Sequence, residues 1–315
     1  MKHKTVVITG GAGFIGSHLC EALCEDNEVR IIDNLSSGSR DNITPFLSAG
    51  ATLLEASITD APAIGHVFDG ADYVFHEAAL ASVPQSIADP VAATETNVMG
   101  TLAVLELARR HEVGKVVFAS SSAVYGDTDR LPIDEERILA PCSPYAATKI
   151  TGEYYLSLYT ELYGLPTASL RYFNVYGPRQ DPSSDYAAVI PKFIARCRAG
   201  EAPVIFGDGT QTRDFVSVRD VVTANILAAQ SRASGAYNIA SGMHCTITEL
   251  ARTVSHIMGC PAQPVFLPPR QGDIVHSYAS IAKAQKDLSF FPKITLEDGL
   301  RETAAYGSAH PCTRS

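Results

Sequence analysis

The sequence lacks the features that would place the protein in a membrane or on nucleic acid. It contains no apolar run of the roughly 18 residues that a membrane-spanning helix requires. Its first residues, MKHKTVVITGG, have neither the apolar length nor the cleavage site of a secretory signal. Acidic residues outnumber basic ones by 34 to 25, and the net charge of -9 argues against a nucleic-acid or anionic-membrane partner. We therefore expect a cytoplasmic protein with no membrane and no nucleic-acid partner.

Cysteine motifs are also missing, although the chain has seven cysteines. No CxxC occurs and the spacing is scattered, so we expect the reduced thiols of a cytoplasmic protein. Cys20 and Cys24 lie four residues apart on a predicted helix, a spacing that is compatible with metal ligation. No second pair of ligands accompanies them in the sequence, and we predict no metal site.

Short β-branched runs alternate with helical stretches in the first half of the chain. The predicted strands are residues 5–9, 29–33, 52–56, 73–78, 115–120 and 167–173, and the predicted helices are 14–26, 61–68, 90–111 and 144–163. Apolar strands separated by helices indicate βαβ units and a parallel sheet that is covered on both faces. The predicted fold class is therefore α/β, with a Rossmann-type doubly wound parallel sheet.

A glycine-rich segment, TGGAGFIGSH, follows the first predicted strand. Gly10, Gly13 and Gly16 are spaced GxxGxxG, and they open an amphipathic helix, which is the context that gives this spacing meaning. Glycines let the backbone approach a pyrophosphate, and the helix N-terminus supplies N–H groups and a positive dipole end. Asp33, at the end of the second strand, is placed to bind an adenosine ribose and to repel a 2′-phosphate. The pattern predicts NAD rather than NADP as the cofactor.

The strand and helix pattern becomes weaker after residue 174. The stretches YGPRQDPSSDYAAVIP and FGDGTQTRDF are rich in Gly, Pro and polar residues, as in loops that wrap a ligand. Residues 214–230 and 237–242 then return to strand and helix patterns. We predict an NAD-binding domain over residues 1–173, completed by parts of 214–240. A smaller α/β substrate domain is predicted over 174–315, interleaved with the first.

Tyr145 and Lys149 stand four residues apart in SPYAATK, on a predicted helix. Residues at this spacing share a helix face, so the ammonium can lie near the phenol oxygen. At about 5 Å and an effective dielectric constant of about 20, the attraction between the two charges is roughly 3 kcal/mol. We expect this charge, helped by an oxidised nicotinamide, to lower the pKa of Tyr145 until it can act as a base. One serine of FASSSAVYGD, after a predicted strand, can donate to the same substrate oxygen.

The sequence resembles the extended short-chain dehydrogenase/reductase family over almost its whole length, and within it the nucleotide-sugar 4-epimerases. The matching segments are TGGAGFIGSH, DNLSSG, HEAALASVPQS, TNVMGT, SSSAVYGD, SPYAATK, LRYFNVYGPRQDP, GDGTQTRDF and RQGD. The resemblance implies that Tyr145 takes the proton of a sugar 4-hydroxyl while hydride passes to NAD. The hydride then returns to the other face of a transient 4-keto sugar. The implied catalytic residues are Ser121, Tyr145 and Lys149.

The resemblance also implies two sets of binding residues. The NAD set is Gly10, Gly13, Phe14, Ile15, Gly16, Asp33, Asn34, Ser37, Gly38, Ser57, Ile58, Ala78, Ala79, Leu80, Asn97, Tyr145, Lys149 and Tyr172. The UDP-sugar set is Ser82, Ser121, Ser122, Asn174, Ala188, Val189, Phe206, Arg213, Arg270, Asp273 and Ser277. Ser277 is expected beside the 2-substituent of the sugar, where a small side chain leaves room for an acetamido group.

Several activities are compatible with this resemblance. Sugar 4,6-dehydratases carry an acidic pair just after the catalytic hydroxyl, where this chain has Ser122 and Ala123, so a 4-epimerase is favoured. The expected substrates are UDP-N-acetylglucosamine and UDP-N-acetylgalactosamine, with UDP-glucose and UDP-galactose as a second pair. The alternatives are a nucleotide-sugar dehydratase, another NAD-dependent nucleotide-sugar-modifying enzyme, or a non-catalytic NAD sensor. Family analogy makes helices 90–111 and 144–163 the interface of a homodimer.

Overall fold

The computed structural model describes residues 1–181, 188–269 and 275–309. Its strands are β1 (Thr5–Thr9), β2 (Glu28–Asp33), β3 (Thr52–Glu55), β4 (Tyr73–His76), β5 (Lys115–Ser121), β6 (Thr167–Tyr172), β7 (Val175–Tyr176), β8 (Val204–Phe206), β9 (Thr212–Arg213), β10 (Val216–Ser217), β11 (Gly235–Ile239), β12 (Cys245–Thr246), β13 (Val265–Leu267) and β14 (His276–Ser277). Seven of them form the central sheet, in the order β11-β6-β5-β4-β1-β2-β3, and all neighbours in it are parallel.

Helices cover both faces of this sheet. The α-helices are α1 (Phe14–Leu23), α2 (Thr44–Ser48), α3 (Ala61–Ile64), α4 (Val83–Ala88), α5 (Pro90–Thr94), α6 (Gly100–Arg110), α7 (Pro144–Tyr163), α8 (Val189–Arg198), α9 (Val218–Gln230), α10 (Ile247–Met258), α11 (Ala282–Leu288) and α12 (Leu296–Ala309). Alternate residues of β1 show the two-faced burial: Val6 and Ile8 join one core cluster, with α1 and α9, and Val7 joins the other, with α6 and α7. The predicted fold class is confirmed.

The chain order places a crevice at the carboxyl end of the sheet. The chain starts at β1, runs outward through β2 and β3, and then crosses back to β4 on the other side of β1. In such sheets, ligands bind outside the strand ends at the point where the order reverses. The glycine-rich loop follows β1 and therefore lies at this reversal.

The helix limits differ from the predicted ones in three places. The first helix ends at Leu23 rather than at residue 26, and the segment predicted as 61–68 is α3 followed by a 3₁₀ turn, Gly65–Phe68. The segment predicted as one helix over 90–111 consists of α5, a π-helical turn over Glu95–Met99, and α6. The extra residue of a π turn rotates the helix face, and here the turn contains the buried Asn97. A sequence pattern with the 3.6-residue period of an α-helix does not reveal the extra residue of a π turn.

The C-terminal part of the chain adds smaller sheets and a separate core cluster. β7 pairs with β10, β8 with β13, and β9 lies between β12 and β14. The core cluster there includes Phe193 of α8, Leu250 of α10 and Leu300 of α12. Within the described part of the chain, no helix combines the length and apolar composition that crossing a membrane requires. The domain limits predicted from the sequence stay a prediction.

Candidate active site

The glycine-rich loop leaves no room for side chains. Gly10 has a φ of +69°, and a Cβ added to it would lie 2.6 Å from the backbone nitrogen of Ala78. A Cβ added to Gly16 would collide with the Gly10 carbonyl oxygen. α1 begins directly after Gly13, and no side chain caps its first turn. A ligand can therefore approach the backbone of this loop closely. The loop also ends at the N-terminus of α1, where Phe14 and Ile15 are the first residues, and this arrangement fits a diphosphate.

Asp33 ties the end of β2 to this loop. Its Oδ2 accepts a hydrogen bond from the Ala12 N–H at 2.9 Å, and its Oδ1 accepts one from the Leu35 N–H at 2.8 Å. Burial raises the pKa of its carboxyl group. Arg40, the nearby cation in the sequence, is exposed, and its Nη1 lies 3.8 Å from Oε2 of Glu55. The arrangement agrees with the predicted preference for NAD over NADP.

Other predicted cofactor residues shape the loops around this cradle. The turn that holds Asn34, Ser37 and Gly38 closes onto the glycine-rich loop, where the Ser39 N–H donates to the Ala12 carbonyl at 3.0 Å. Ser57 begins a turn in which its Oγ lies 2.8 Å from Oγ1 of Thr59. These contacts place the loops beside the crevice through backbone geometry.

The side chains of two predicted cofactor residues, Ile58 and Asn97, contact other parts of the protein. The side chain of Ile58 is buried in the core beside Gly100, which leaves its backbone rather than its side chain for a ligand. Asn97 accepts from the Leu80 N–H at 2.7 Å and donates to the Leu80 carbonyl at 3.1 Å and to Oγ1 of Thr148 at 3.0 Å. Asn97 therefore fixes the backbone after Ala78 and Ala79, and any effect on a cofactor passes through that backbone.

The three predicted catalytic residues come together at the end of β5. Ser121 is the last residue of β5, its hydroxyl oxygen accepts from the Ala123 N–H at 3.2 Å, and it is near enough to Tyr145 to lower the pKa of that phenol. Lys149, one turn further along α7, is buried. Its Nζ donates to the Ala119 carbonyl at 2.7 Å and lies 5.7 Å from the centre of the Tyr145 ring.

Burial, rather than Lys149, dominates the pKa of Tyr145. The pKa of Tyr145 is raised by burial, lowered by the hydrogen bond from Ser121, and raised by the nearby Glu77 carboxylate. Lys149 is not among the groups that shift the pKa of Tyr145, since burial brings the pKa of Lys149 itself to about 8 and the ammonium has lost its charge by the pH at which the phenol ionises. Burial also lowers the pKa of Lys149 to about 8, against the raising influence of Glu77 and Glu153.

Glu77 is a half-buried acid at this site that sequence reasoning left without a role. It follows β4 directly, and its Oε1 accepts a hydrogen bond from the Tyr172 hydroxyl at 2.9 Å. Tyr172 was predicted to bind the cofactor, and its hydroxyl is also held by Asn225 of α9. Burial raises the pKa of Glu77 to about 7, while Tyr172 and Lys149 lower it. Its partners come from β6 and α9, so no local pattern could have identified it.

A pocket of about 310 Å³ begins just beyond β6. Five predicted substrate residues line it: Asn174, Ala188, Val189, Phe206 and Arg213. Sequence reasoning missed Gln180 and Gln211, which also line it. Their Oε1 atoms are buried without a hydrogen-bond partner among the described residues. Both lie in segments that carried the resemblance, which was the available signal.

The remaining predicted substrate residues within the described part of the chain do not line this pocket. Ser82 caps α4, and Ser122 begins the 3₁₀ turn after Ser121. Ser277 ends β14, in register with Arg213 of β9, so it lies beside the pocket. Arg270 and Asp273 lie outside the described residues.

Fold and site together define a class of protein. A glycine loop after β1, an acid after β2, and a hydroxyl–tyrosine–lysine set on β5 and α7 are the parts of a nicotinamide-dependent enzyme of the short-chain dehydrogenase/reductase type. The family model for the NAD dependent epimerase/dehydratase family matches residues 6–240. The chain belongs to this family. Because the family is NAD-dependent, the predicted NAD cofactor is confirmed.

Comparison with known proteins gives similar chains along nearly the whole length. A putative UDP-glucose 4-epimerase from Methanocaldococcus jannaschii is 41% identical over 299 residues, covering 94% of this chain and 96% of its own. The solved structure of the UDP-N-acetylglucosamine 4-epimerase from Methanobrevibacter ruminantium M1, in complex with UDP-N-acetylmuramic acid, superposes with a TM-score of 0.95. It is 45% identical, with 98% of this chain and 99% of that chain covered.

A second solved structure is the UDP-glucose 4-epimerase from Thermotoga maritima with UDP-glucose. It gives a TM-score of 0.92 at 40% identity, with 96% of this chain and 98% of that chain covered. Decarboxylases of UDP-sugar acids are also among the relatives, at 36% and 32% identity. The predicted family is therefore confirmed.

Proposed function

We propose that the protein is an NAD-dependent UDP-sugar 4-epimerase that acts first on UDP-N-acetylglucosamine and UDP-N-acetylgalactosamine. The observation that carries the proposal is the placement of Ser121 at the end of β5 and of Tyr145 and Lys149 on α7, with Lys149 Nζ 5.7 Å from the centre of the Tyr145 ring, in the crevice that the glycine-rich loop borders. Similar chains and structures along the whole length are 4-epimerases of UDP-sugars, which supports this reaction.

The residues of the crevice fit NAD, which supplies a hydride acceptor when it is bound. The glycine-rich loop and the first turn of α1 would hold its diphosphate, and Asp33 would hold its adenosine ribose. Lys149 and the backbone at Leu80 would hold the nicotinamide end. We also propose that the protein is cytoplasmic, and that the boundary between the NAD-binding domain and the substrate domain lies between residues 173 and 174.

Tyr145 moves the proton of the sugar 4-hydroxyl in this proposal. Ser121, at the end of β5 near Tyr145, would hold the reacting oxygen between the two hydroxyls. Because burial raises the pKa of Tyr145, the proton leaves only when cationic charge offsets that burial. Lys149, on the same helix face, contributes such a charge while it is protonated.

The sugar preference is proposed from Ser277. Its place beside Arg213 supports an expected position near the sugar 2-substituent, and a serine there leaves space for an acetamido group. The similarity to a UDP-N-acetylglucosamine 4-epimerase supports the same preference. The pair UDP-glucose and UDP-galactose is proposed as a second, slower substrate pair.

The competing activities need an acid that this site does not offer next to Ser121. Ser122 and Ala123 occupy the positions after the catalytic hydroxyl, so elimination of water has no acid or base there. A dehydratase would release a 4-keto-6-deoxy sugar, and a decarboxylase would release carbon dioxide from a sugar acid. A 4-epimerase gives only an isomer of equal mass.

The proposal is tested by incubating the purified protein with UDP-N-acetylglucosamine and UDP-glucose separately, first without and then with added NAD. Chromatography that resolves 4-epimers should show UDP-N-acetylgalactosamine forming faster than UDP-galactose. The matched control is Tyr145→Phe, which keeps the ring and removes the hydroxyl. We expect it to lower kcat by at least about 100-fold, the usual contribution of a positioned acid/base group.

Two outcomes would reject the proposal in different ways. If neither sugar gives a 4-epimer even with NAD, the 4-epimerase assignment is wrong. If Tyr145→Phe retains full activity, Tyr145 does not move the proton. Faster turnover of UDP-glucose would reject only the argument from Ser277.

We also propose a homodimer through α7 and the helical segment 90–111. The described surface of these helices carries large exposed apolar side chains: Val91, Met99, Tyr154, Leu158 and Leu162. Leu162 is 67% exposed and Val91 is 65% exposed. An apolar surface of this kind on two packed neighbouring helices is typical of an interface.

A further inference from the structure

The carboxylate of Glu153, on α7, joins three elements next to the catalytic residues. Its Oε1 accepts a hydrogen bond from the Ser120 hydroxyl at 2.5 Å and another from Arg171 Nε at 2.9 Å. Its Oε2 accepts from Arg171 Nη2 at 2.6 Å. All three side chains are buried. The carboxylate therefore links α7 to β5 and to β6 inside the protein.

The residues that Glu153 joins on β5 and β6 are register partners. Ser120 lies opposite Arg171, and the next pair along the two strands is Ser121 and Tyr172. Ser121 is the predicted catalytic hydroxyl, and Tyr172 is a predicted cofactor residue. These two residues end their strands. Glu153 therefore holds the pair of residues that immediately precedes the predicted functional pair.

A second hydrogen bond attaches α7 to the same strand. Lys149 and Glu153 are four residues apart, so they lie on one face of α7. Lys149 Nζ donates to the Ala119 carbonyl at 2.7 Å, and Glu153 accepts from the hydroxyl of the next residue, Ser120. Two consecutive residues of β5 are thus bonded to two consecutive turns of α7. This attachment sets how the end of β5 lies against the helix that carries Tyr145.

Stability alone is a weak reason for a buried ion pair at this place. Removing two charges from water costs free energy, and apolar side chains of similar volume often support a fold equally well. What the pair of Glu153 and Arg171 adds is direction, because two parallel hydrogen bonds fix the guanidinium and the carboxylate in one arrangement. Arg171 Nη1 also donates to the Tyr125 hydroxyl at 2.8 Å, which donates to Asn238 Oδ1 at 2.6 Å. The carboxylate that receives the Ser120 hydroxyl is therefore itself held firmly.

We propose that Ser120, held by Glu153, is a positioning residue that sets the Ser121 hydroxyl against Tyr145 for proton transfer. This inference rests on the roles of Ser121 and Tyr145 in the proposed function. Ser120 and Glu153 are buried, and in this role they touch neither the sugar nor NAD. Glu153 holds the Ser120 side chain, and Ser120 thereby fixes the backbone that carries Ser121.

The proposed role predicts that Ser120 acts through Ser121. Loss of the Ser120 hydroxyl then slows the reaction only while the Ser121 hydroxyl is present, since residues that act as a unit are not additive. A residue that only supports the fold would lower activity by the same factor whether or not the Ser121 hydroxyl is there.

The test is a double-mutant cycle of Ser120→Ala, Ser121→Ala and the variant that combines them. Ser120→Ala removes one hydroxyl and leaves the ion pair of Glu153 and Arg171 in place. We expect it to lower kcat per NAD-loaded protein about 10-fold, with KM for UDP-N-acetylglucosamine within about 3-fold of wild type, because a misplaced reacting group slows the chemical step. In the Ser121→Ala background, the same change should lower kcat by less than about 2-fold.

The matched control is Ser169→Ala. Ser169 is a buried serine of β6, two residues before Arg171 and therefore on the same face of the sheet, but further from the strand end. Its replacement should leave kcat per NAD-loaded protein within about 2-fold of wild type. An equal loss from Ser120→Ala with and without the Ser121 hydroxyl would overturn the inference, and so would an unchanged kcat in Ser120→Ala alone.

A second measurement does not depend on turnover. Hydrogen–deuterium exchange followed by mass spectrometry reports local opening of the backbone. We expect Ser120→Ala to speed exchange in peptides that contain the carboxyl ends of β5 and β6, and not in peptides from β1 and β2. Unchanged exchange at those ends, or the same increase throughout the chain, would overturn the inference. Absence of 4-epimers from wild-type protein would reject the proposed function, while this exchange would still decide whether Ser120 fixes the strand ends.

Discussion

The side chain of Lys149 is oriented by a hydrogen bond to β5 rather than by a contact with Tyr145. Its ammonium donates to the Ala119 carbonyl at 2.7 Å and lies over the Phe118 ring, 4.8 Å from the ring centre. This bond fixes the side chain near the carboxyl end of β5. Since burial brings the pKa of Lys149 to about 8, its charge is sensitive to pH in the neutral range. In the proposed mechanism, the rate of proton transfer by Tyr145 therefore depends on the protonation of Lys149, which does not itself carry the proton.

At the residue scale, Ser277 gives a prediction about sugar preference. Ser277→Tyr should fill the space beside Arg213 and lower kcat/KM for UDP-N-acetylglucosamine by about 10-fold or more relative to UDP-glucose, because steric exclusion in a pocket is worth this much. Ser277→Ala is the matched control, and it should leave the ratio of the two kcat/KM values within about 3-fold of wild type. An unchanged ratio in Ser277→Tyr would show that residue 277 does not contact the 2-substituent.

At the element scale, the π turn within 90–111 is what brings Asn97 to the Leu80 backbone. Asn97→Ala removes three hydrogen bonds and leaves the part-buried backbone groups of Leu80 and the Thr148 hydroxyl without these partners. We expect it to lower the free energy of unfolding by about 1–3 kcal/mol, measured by urea titration, and to weaken NAD binding by calorimetry.

The matched control for this change is Glu95→Ala, in the same turn. Glu95 is exposed, and its replacement should alter the free energy of unfolding by less than about 0.5 kcal/mol. Equal unfolding midpoints for Asn97→Ala and wild type would contradict a holding role for Asn97.

Elements that depend on local periodicity were predictable from the sequence. The six strands predicted in the first half of the chain are present, with ends that differ by at most two residues. The helix predicted over 144–163 has the same limits in the structure, because Ser143 caps its start and Gly164, in the left-handed region, ends it. The π turn was not predictable, since one inserted residue leaves the apolar pattern almost unchanged.

At the scale of the whole molecule, the site was predictable only in part. Residues within one motif, such as Tyr145 and Lys149, come together as the spacing indicates. Glu77 and Tyr172 are 95 residues apart in the chain and meet only because β4 and β6 flank β5. The pKa of Tyr145 also depends on how deeply the assembled fold buries it, which spacing alone does not give.

The proposed dimer gives the whole-molecule prediction. Leu158→Arg places a charge on the exposed apolar face of α7 and should convert the dimer to monomer in sedimentation velocity at micromolar concentration. Ile138→Arg is the matched control, since Ile138 is 82% exposed and lies outside both helices. Equal sedimentation of the two variants and wild type would rule out this face as the interface.

The pairing of β9 with β14 has a further consequence. Arg213 and Ser277 are register partners, so a displacement of one strand along the other changes both positions together. A change of substrate preference to a different sugar would then seldom result from one substitution. Variants selected for a new hexose should also show altered retention of the nucleotide, and compensating changes should accumulate on the opposite strand.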